Sequence, residues 1–382
     1  MIAGILFGFI PAVIWIYLLL GRGFFWLARE RDDRDGPPGE LNEWPSVVAV
    51  VPARNEADVL HQSLGSLLQQ NYPGPFRIIL VDDQSTDGTA DAARAFGRTD
   101  RLDILEGAPR PSGWTGKLWA MHQGVVKANE GGHPDYIWLT DADISHTPDN
   151  LRRLVYRAHK GKLVLTSQMA KLSCQTAAEH FLIPAFVFFF EMLFPFSFVN
   201  RPGDKVAAAA GGCMLVLNDA LEVAGGVQVI RHEIIDDCAL GRRMKALGPV
   251  WLGLTNRAVS LRPYLHIRDI GHMVTRSAYA QLGYSPLILA GTAVGMLFLY
   301  VAAPFVSLFG WGISQMAGWF TWAAMAIAYQ PMLRFYRLSP LWGFAMPAIG
   351  LVYGAFTVQS AIQHWRGRGG MWKGRVQAIT PP

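Results

Sequence analysis

The sequence predicts an α/β domain with a mostly parallel sheet, joined at both ends to apolar helices of membrane-spanning length. Between residues 47 and 140, short β-branched and aromatic runs alternate with segments of helical periodicity. This alternation is typical of βαβ units with helices on both faces of a buried sheet. Charged residues make up only 16% of the chain and the mean hydropathy is +0.21, whereas soluble domains carry about 25% charge. The apolar excess lies at the two ends of the chain, outside the predicted α/β domain.

The elements of that domain follow one another in a regular order. Strands are predicted from short runs rich in Val, Ile and aromatic residues, and helices from apolar residues three and four apart. The predicted elements are strand 47–51, helix 56–70, strand 77–81, helix 86–96, strand 102–105, helix 117–128 and strand 136–140.

The two ends of the chain predict membrane helices. Residues 2–20 carry no charge. A helix of this length is about long enough to cross a ~30 Å hydrocarbon layer. Arg22, Arg29, Arg31 and Arg34 follow it, and the positive-inside rule places them and the next domain in the cytoplasm. Near the C-terminus, further spans are predicted at 286–309, 313–333 and 340–362. A third full span would leave the basic tail outside, so we predict two to three spans there.

These patterns predict three regions: a transmembrane anchor at 1–29, a cytoplasmic domain at 45–275 and a transmembrane region at 284–363. We expect a protein of the inner membrane that crosses the bilayer several times. The aromatic segment 177–200 is interrupted by acids and prolines, and predicts an interfacial helix rather than a span. A domain helix packed on the C-terminal spans is the alternative.

Charge and cysteine content narrow the partners. The net charge is +5, but the basic residues are scattered or lie beside the spans. Anionic lipid headgroups are therefore a simpler partner than nucleic acid, which we do not expect. The three cysteines are not spaced as metal ligands and predict reduced thiols.

Polar side chains follow three of the predicted strands. Pro52 ends the first strand, Asp82 and Asp83 end the second, and Asp141 and Asp143 follow the strand 136–140. In parallel sheets, ligands bind beyond the carboxyl ends of the strands. Two carboxylates one residue apart can share a divalent cation, and hard oxygen ligands suit Mg²⁺ or Mn²⁺. Neither a G-x-G-x-x-G after the first strand nor a P-loop occurs. The pattern favours a metal-assisted phosphate site over a dinucleotide fold.

A series of motifs over residues 45–250 resembles glycosyltransferase family 2. The motifs are VVPARNEADVL, ILVDDQSTDGT, GWTGKLWAMHQGV, WLTDADI, GGCMLV and IIDDCALGRRMKALG, in the family's order. The arrangement of spans is similar to the membrane branch that includes ceramide glucosyltransferases. With VTRSAYAQLGYSPL, the chain looks most like the hopene-associated group found with hopanoid biosynthesis genes. The resemblance implies a GT-A-type nucleotide-sugar-binding domain, flanked by one N-terminal and two to three C-terminal transmembrane helices.

The resemblance also implies roles for individual positions. The nucleotide-sugar-binding residues would be Pro52, Ala53 and Glu56 around the nucleoside, Asp83 on the base, Lys117 beside the nucleotide or its phosphates, and Asp141. Asp141 and Asp143 would be the metal-binding D-x-D. Gly211, Gly212 and Cys213 would border the acceptor side. Asp237 would be the catalytic base, next to Asp236, where the family often has Glu.

One departure from the family concerns the leaving group. The Q-x-x-R-W motif of processive synthases and ceramide glucosyltransferases is missing, and HMVTRSAYAQ stands in its region. This departure argues against a cellulose- or chitin-type polymerase. It leaves Arg276 as the candidate that assists the diphosphate.

The expected activity is transfer of a sugar from a nucleotide sugar, expected to be a UDP-sugar, to a hydroxyl of a membrane lipid such as a hopanoid. A single displacement would invert the anomeric centre. Two alternatives stay open: transfer to a polyprenyl phosphate, and a non-catalytic membrane scaffold that retains the fold.

Overall fold

The computed structural model describes residues 2–97, 100–373 and 375–376. By their contacts, the residues form two compact units. The sheet unit comprises Glu30–Ser173 and Phe198–Arg262. The helical unit comprises the described residues of Met1–Arg29, Cys174–Ser197 and Pro263–Ala378. The boundaries predicted from the sequence stay a prediction.

An eight-stranded sheet forms the centre of the sheet unit in the described part of the chain, in the order β3-β2-β1-β4-β7-β6-β8-β5. Its strands are β1 (Val47–Ala53), β2 (Phe76–Asp82), β3 (Leu102–Glu106), β4 (Tyr136–Thr140), β5 (Ile144–His146), β6 (Leu165–Lys171), β7 (Cys213–Leu217) and β8 (Val250–Ser260). The pairs β1–β2, β2–β3, β1–β4 and β6–β8 are parallel, and β4–β7, β6–β7 and β5–β8 are antiparallel. The prediction of a mostly parallel α/β sheet is confirmed.

The register of these strands assembles one polar edge. Ala53 at the end of β1 pairs with Asp82 at the end of β2. Because β7 runs antiparallel to β4, its first residue, Cys213, pairs with Thr140 at the end of β4. The residues just before β7 therefore lie beside those just after β4, at the edge where the parallel strands end.

The helices follow the predicted alternation in the sheet unit and continue through the C-terminal third of the chain. They are α1 (Ile2–Leu20), α2 (Ala57–Leu68), α3 (Thr89–Arg94), α4 (Gly116–Glu130), α5 (Asn150–Gly161), α6 (Ala177–Leu193), α7 (Phe196–Val199), α8 (Asn218–Val223), α9 (Asp236–Lys245), α10 (Ile267–Thr275), α11 (Ala278–Gln281), α12 (Pro286–Met296), α13 (Ala302–Phe309), α14 (Gly312–Phe335) and α15 (Met346–Trp365). A short pair of strands, β9 (Met371–Trp372) and β10 (Arg375–Val376), follows.

Packing against the sheet fixes the helices that carry the site. The apolar face of α2, with Leu60, Leu64 and Leu67, is buried in the main core. Helix α4 approaches the sheet closely at Gly124, where a Cβ would lie 2.4 Å from Val50 Cγ1. The missing side chain allows this close contact, which fixes the middle of α4 against β1.

Two helices among the described residues of the helical unit are long and apolar enough to cross a membrane, at Pro286–Phe309 and Pro340–Trp365. The predicted segment 313–333 is the helix α14, and the predicted anchor is α1. Large apolar side chains stand exposed on these helices, including Leu287 at 85% and Ile313 at 71%. Soluble proteins seldom expose such surfaces widely.

Helix α6 corrects one expectation. The aromatic segment was expected to be an interfacial helix with its Phe side chains among lipid headgroups. Instead Phe188 and Phe189 are buried. The ring centroids of Phe188 and Tyr329 are 5.4 Å apart, and those of Phe189 and Tyr353 are 4.9 Å apart. The alternative is therefore correct for these residues: α6 packs on α14 and α15 through edge-to-face contacts between aromatic rings.

Candidate active site

The loops after β1 and β2 form the first part of the site. Asp83 is fully buried, and its backbone N–H donates to the Ala53 carbonyl at 2.8 Å. Arg54 donates to the carbonyl oxygens of Asp83 and Gln84, and its guanidinium lies 3.7 Å from the Asp83 carboxylate. The nearby guanidinium offsets part of the cost of burying the Asp83 carboxylate. Pro52, Ala53 and Asp83 thus lie together at the strand ends, as predicted.

Two residues in these loops have left-handed backbones. Asn55 has a φ of 51° and Gln84 a φ of 53°. Side-chain bonds hold the two loops together: Asn55 N–H donates to Ser85 Oγ at 3.0 Å, and Thr86 N–H donates to Asn55 Oδ1 at 2.9 Å. Left-handed non-glycine residues persist where the surroundings enforce them, often at functional sites. The loops are therefore preformed.

Lys117 and three carboxylates form the centre of the site. The Lys117 ammonium lies 2.8 Å from Asp141 Oδ1 and 3.2 Å from Asp236 Oδ2. Lys117 belongs to the first turn of α4, which the Thr115 hydroxyl caps by accepting from Leu118 N–H. Asp236 and Asp237 begin α9, where the helix dipole favours negative charge. The structure thus brings together residues that the sequence separates by more than a hundred positions.

Asp237 is held by backbone donors at both carboxylate oxygens. Gly211 N–H donates to Oδ2 at 2.9 Å, and Cys238 N–H donates to Oδ1 at 2.7 Å. Burial and the neighbouring charge of Asp236 raise the pKa of Asp237 to about 6, against the opposing effect of Lys117. A carboxylate with this pKa is ionised at neutral pH and more basic than an ordinary aspartate.

Burial and charge shift the neighbouring groups as well. Burial raises the pKa of Asp141, and the Lys117 ammonium only partly offsets this effect. Burial disfavours the charged form of Lys117, but attraction to Asp141 and Asp236 outweighs it and raises the Lys117 pKa. One ammonium therefore faces three acids, and the cluster favours further positive charge.

The Asp143 carboxylate pairs with a different basic residue, Arg262. Its carboxylate Oδ2 lies 3.3 Å from Arg262 Nε, and the same guanidinium pairs with Glu56. Arg262 was not predicted as a site residue, because the residues around it in the sequence form no recognisable motif. Glu56 N–H donates to Thr89 Oγ1 at 2.9 Å, so the start of α2 is tied to the second loop.

A buried polar chain supports the residue just before Asp141. Asn150 Nδ2 donates to His146 Nδ1 at 3.0 Å, His146 Nε2 lies 2.9 Å from Thr140 Oγ1, and Thr140 Oγ1 donates to the Gly212 carbonyl at 2.9 Å. Burial lowers the pKa of His146 to about 3, so the imidazole is neutral. The chain links the end of β4 to the segment that precedes β7.

The predicted acceptor-side residues divide into two kinds. A Cβ on Gly211 would lie 3.3 Å from Lys117 Nζ, which places this glycine against the charged cluster. Cys213 instead faces the core, where its thiol accepts from Trp138 Nε1 at 3.3 Å and lies 3.4 Å from Gln168 Oε1. Burial raises the pKa of Cys213 to about 12. A Cβ on Gly212 would lie 3.2 Å from Ala170 Cβ, so of the three residues it is Gly211 that is shown beside the charged cluster. The acceptor-side role stays a prediction.

Arg276 belongs to the helical unit. It follows α10 directly and its side chain is exposed. Its assignment to the diphosphate also stays a prediction.

The acidic side chains of the site supply only some of the ligands that a hard divalent cation needs. No group of three or more His, Cys, Asp or Glu side chains is arranged as a metal site within the described residues. The carboxylates of Asp141 and Asp143 are oxygen ligands of the kind that Mg²⁺ and Mn²⁺ prefer. A Mg²⁺ site built from one or two carboxylates usually takes its remaining ligands from waters and substrate phosphates. The residues thus fit a cation whose remaining ligands are waters, some of which substrate phosphates can replace.

The sheet and its acidic edge define a GT-A-like α/β domain. Comparisons with known proteins agree. Residues 48–225, somewhat under half of the chain, match the model of glycosyl transferase family 2. This match supports a glycosyltransferase family 2 domain over that segment.

Individual relatives match parts of the chain. Over 100 residues, it is 36% identical to 4,4'-diaponeurosporenoate glycosyltransferase of Staphylococcus aureus strain bovine RF122 / ET3-1, a match that covers 26% of this chain and 24% of the relative. The protein of that name from strain USA300 is 35% identical over 102 residues, with the same coverage of 26% and 24%. The chain thus spans about a quarter of the length of these curated relatives.

One solved structure is similar over nearly the whole chain. It is the mannosyltransferase PcManGT from Pyrobaculum calidifontis in complex with GDP-Man and Mn2+. The TM-score is 0.52, and the likeness covers 93% of this chain and 98% of that one. At 18% identity, the likeness shows the fold alone.

Proposed function

We propose that this protein is an inverting, metal-dependent glycosyltransferase that moves a sugar from a nucleotide sugar to the hydroxyl of a membrane lipid. One observation carries the proposal: Lys117 gathers Asp141 and Asp236 at the carboxyl edge of the sheet, directly beside Asp237. Charge neutralisation and a base are thereby available at one place. Transfer of a sugar to a hydroxyl needs both.

The donor would bind along the ends of β1 and β2. Pro52, Ala53 and Glu56 would border the nucleoside there, and Asp83 would meet the base of the nucleotide. Mg²⁺ or Mn²⁺, held by Asp141 and Asp143, would supply charge neutralisation for the leaving diphosphate. Lys117 would add a second positive charge there. The resemblance to the family favours a UDP-sugar; the structurally similar mannosyltransferase was solved with GDP-Man and Mn2+.

Asp237 would act as the base. The two backbone donors fix its carboxylate, and its pKa of about 6 leaves it ionised at pH 7. It would take the proton of the acceptor hydroxyl as the oxygen attacks the anomeric carbon, and the bond to the diphosphate oxygen breaks. A single displacement gives a β-linked product from an α-linked donor. A phosphate acceptor needs no such proton removal at neutral pH, so the base argues for a hydroxyl over a polyprenyl phosphate.

The lipid acceptor rests on two lines of support. The helical unit exposes large apolar side chains on helices of membrane-spanning length, which suits a multi-pass membrane protein. The basic residues after α1 favour the inner membrane, with the sheet unit in the cytoplasm. The curated relatives are named for 4,4'-diaponeurosporenoate, a lipid-like carotenoid acid. Among lipid classes, the resemblance to the hopene-associated group favours a hopanoid.

The stereochemistry of the product tests the proposal. Product formed from an α-linked nucleotide sugar and a hydroxylated hopanoid should carry a β-linked sugar, as read from the anomeric proton by NMR. An α-linked product would contradict the single displacement. Sugar found only on a polyprenyl phosphate would support that alternative, and a folded protein that binds no nucleotide sugar would support the scaffold.

A further inference from the structure

Arg262 lies at the acidic edge because of strand register. It follows β8 by two residues, and β8 pairs antiparallel with β5, with Ser260 opposite Ile144. The pairing continues one step further, since Leu261 N–H donates to the Asp143 carbonyl at 2.8 Å. The backbone therefore fixes Arg262 beside Asp143.

One guanidinium there serves two carboxylates from different strand ends. Its Nε lies 3.3 Å from Asp143 Oδ2, and its Nη2 pairs with Glu56 Oε2. The Glu56 side chain is 9% exposed and that of Asp143 21%, whereas Arg262 is 33% exposed. Arg262 is thus the solvent-facing member of a partly buried charged group.

The two carboxylates that flank Arg262 both belong to the proposed donor site. Glu56 borders the nucleoside pocket, and Asp143 is the second acid of the D-x-D. A guanidinium carries five N–H donors in a planar fork and suits phosphate oxygens as well as carboxylates. The sequence left the basic partner of the diphosphate open and put forward Arg276. Arg262 is a basic side chain that the structure places among the acids of the sheet unit.

We propose that Arg262 binds the donor diphosphate, and that without donor the same guanidinium neutralises Asp143 and Glu56. This inference rests on the proposed function and adds a residue to it. Asp143 would hold the cation when cation and donor are both bound, and would then no longer need Arg262 for charge neutralisation. The guanidinium is then available to the phosphate oxygens.

This role has two effects of opposite sign. Without donor, a guanidinium on Asp143 competes with a cation for the same carboxylate, so its removal should strengthen metal binding. With metal present, its removal should weaken diphosphate binding, because a charge-assisted contact is lost. Removal of a residue that only supports the fold would strengthen neither metal binding nor diphosphate binding.

The test measures binding and not turnover, on the full chain purified in detergent. Mn²⁺ affinity without nucleotide is read by electron paramagnetic resonance, and UDP and GDP affinity with Mn²⁺ by calorimetry. For Arg262→Gln we expect the Mn²⁺ Kd to fall by about threefold and the nucleotide Kd to rise by about tenfold or more. Arg262→Lys retains the charge, and should leave Mn²⁺ binding near wild type and recover part of the nucleotide affinity.

Two further variants sharpen the comparison. Arg243→Gln removes an equal charge at an exposed position of α9, and should change neither affinity. Arg276→Gln tests the competing candidate directly. Nucleotide affinity within twofold of wild type in a folded Arg262→Gln protein would overturn the inference, as would weaker binding of both Mn²⁺ and nucleotide. A wild-type protein that bound neither Mn²⁺ nor nucleotide would instead overturn the proposed function, and this inference with it.

Discussion

Replacing Asp237 with Asn tests the proposed base while keeping the shape of the site. The wild-type carboxylate accepts from Gly211 N–H and Cys238 N–H, one at each oxygen. Asn keeps one oxygen, so one of the two backbone donors will face an NH₂ group. A buried donor left unsatisfied costs about 1–3 kcal/mol. The variant should therefore fold, with somewhat reduced stability.

The effect on the rate should be larger than the effect on stability. A positioned general base contributes about 10²- to 10⁴-fold, or about 3–5.5 kcal/mol of activation free energy. Asp237→Asn should lower kcat by that range and leave the donor Kd within a few-fold. The pH profile should change too. Wild-type kcat should fall as pH falls through about 6, where Asp237 becomes protonated. The Asn variant cannot titrate, so this acidic limb should disappear.

The assay is release of nucleoside diphosphate from the donor in the presence of acceptor, at pH 5 to 8, with donor binding measured separately. Asp91→Asn is the matched control, because Asp91 is an exposed acid in the first turn of α3. A loss below tenfold in a folded variant that binds donor would refute the base assignment. So would an unchanged acidic limb.

Three further variants test other parts of the site. Asp143→Ala should abolish metal-dependent use of the donor and leave the protein folded and membrane-bound, as seen by activity with Mn²⁺ and by membrane fractionation. Lys117→Gln leaves Asp141, Asp236 and Asp237 without their ammonium, so the free energy of unfolding should fall by about 1–3 kcal/mol at pH 7. Added Mn²⁺ should raise its melting temperature more than that of wild type. His146→Gln removes a histidine that folding holds neutral, with a pKa of about 3 against 6.5. Wild-type stability should fall as pH drops from about 6.5 towards 3, and the decline should be shallower in the variant, as measured by denaturant unfolding.

Each of these expectations has a contrary result. If Asp143→Ala kept wild-type turnover with Mn²⁺, the D-x-D would not be the metal site. Equal stabilisation of wild type and Lys117→Gln by Mn²⁺ would show that loss of the Lys117 ammonium does not increase the affinity of the acidic cluster for a cation. An unchanged slope of stability against pH in His146→Gln would mean that this imidazole is not held neutral in the folded state.

Local pattern was enough to predict the first half of the sheet. The runs Val47–Ala53, Phe76–Asp82 and Tyr136–Thr140 are wholly or almost wholly buried, so their continuous apolar character reports parallel strands. The insertion of β7 between β4 and β6 was not predicted, because it depends on pairing between segments far apart in the chain. The packing of α6 was also misjudged, since apolar rings in a helix suit a bilayer surface and a protein interior equally well.

The site shows the same division between local and distant information. The acids at the strand ends could be named from the sequence because they directly follow apolar runs. Lys117 and Asp237 depended on the resemblance to a family, and the structure places both at one cluster. Arg262 could not be found in this way, because only the register of β8 on β5 brings it to Asp143. Cys213 shares a motif with Gly211 and Gly212, but strand alternation turns its thiol into the core.

The most direct test of the central claim is nucleoside diphosphate release by the detergent-purified protein. A panel of nucleotide sugars, including UDP- and GDP-linked donors, is tested with Mn²⁺ or EDTA and with or without a hydroxylated hopanoid. We expect release from one donor that requires both Mn²⁺ and the lipid. Release that persists in EDTA would contradict the metal requirement. No release from any donor by protein shown to be folded, together with no donor binding, would contradict the assignment as a glycosyltransferase.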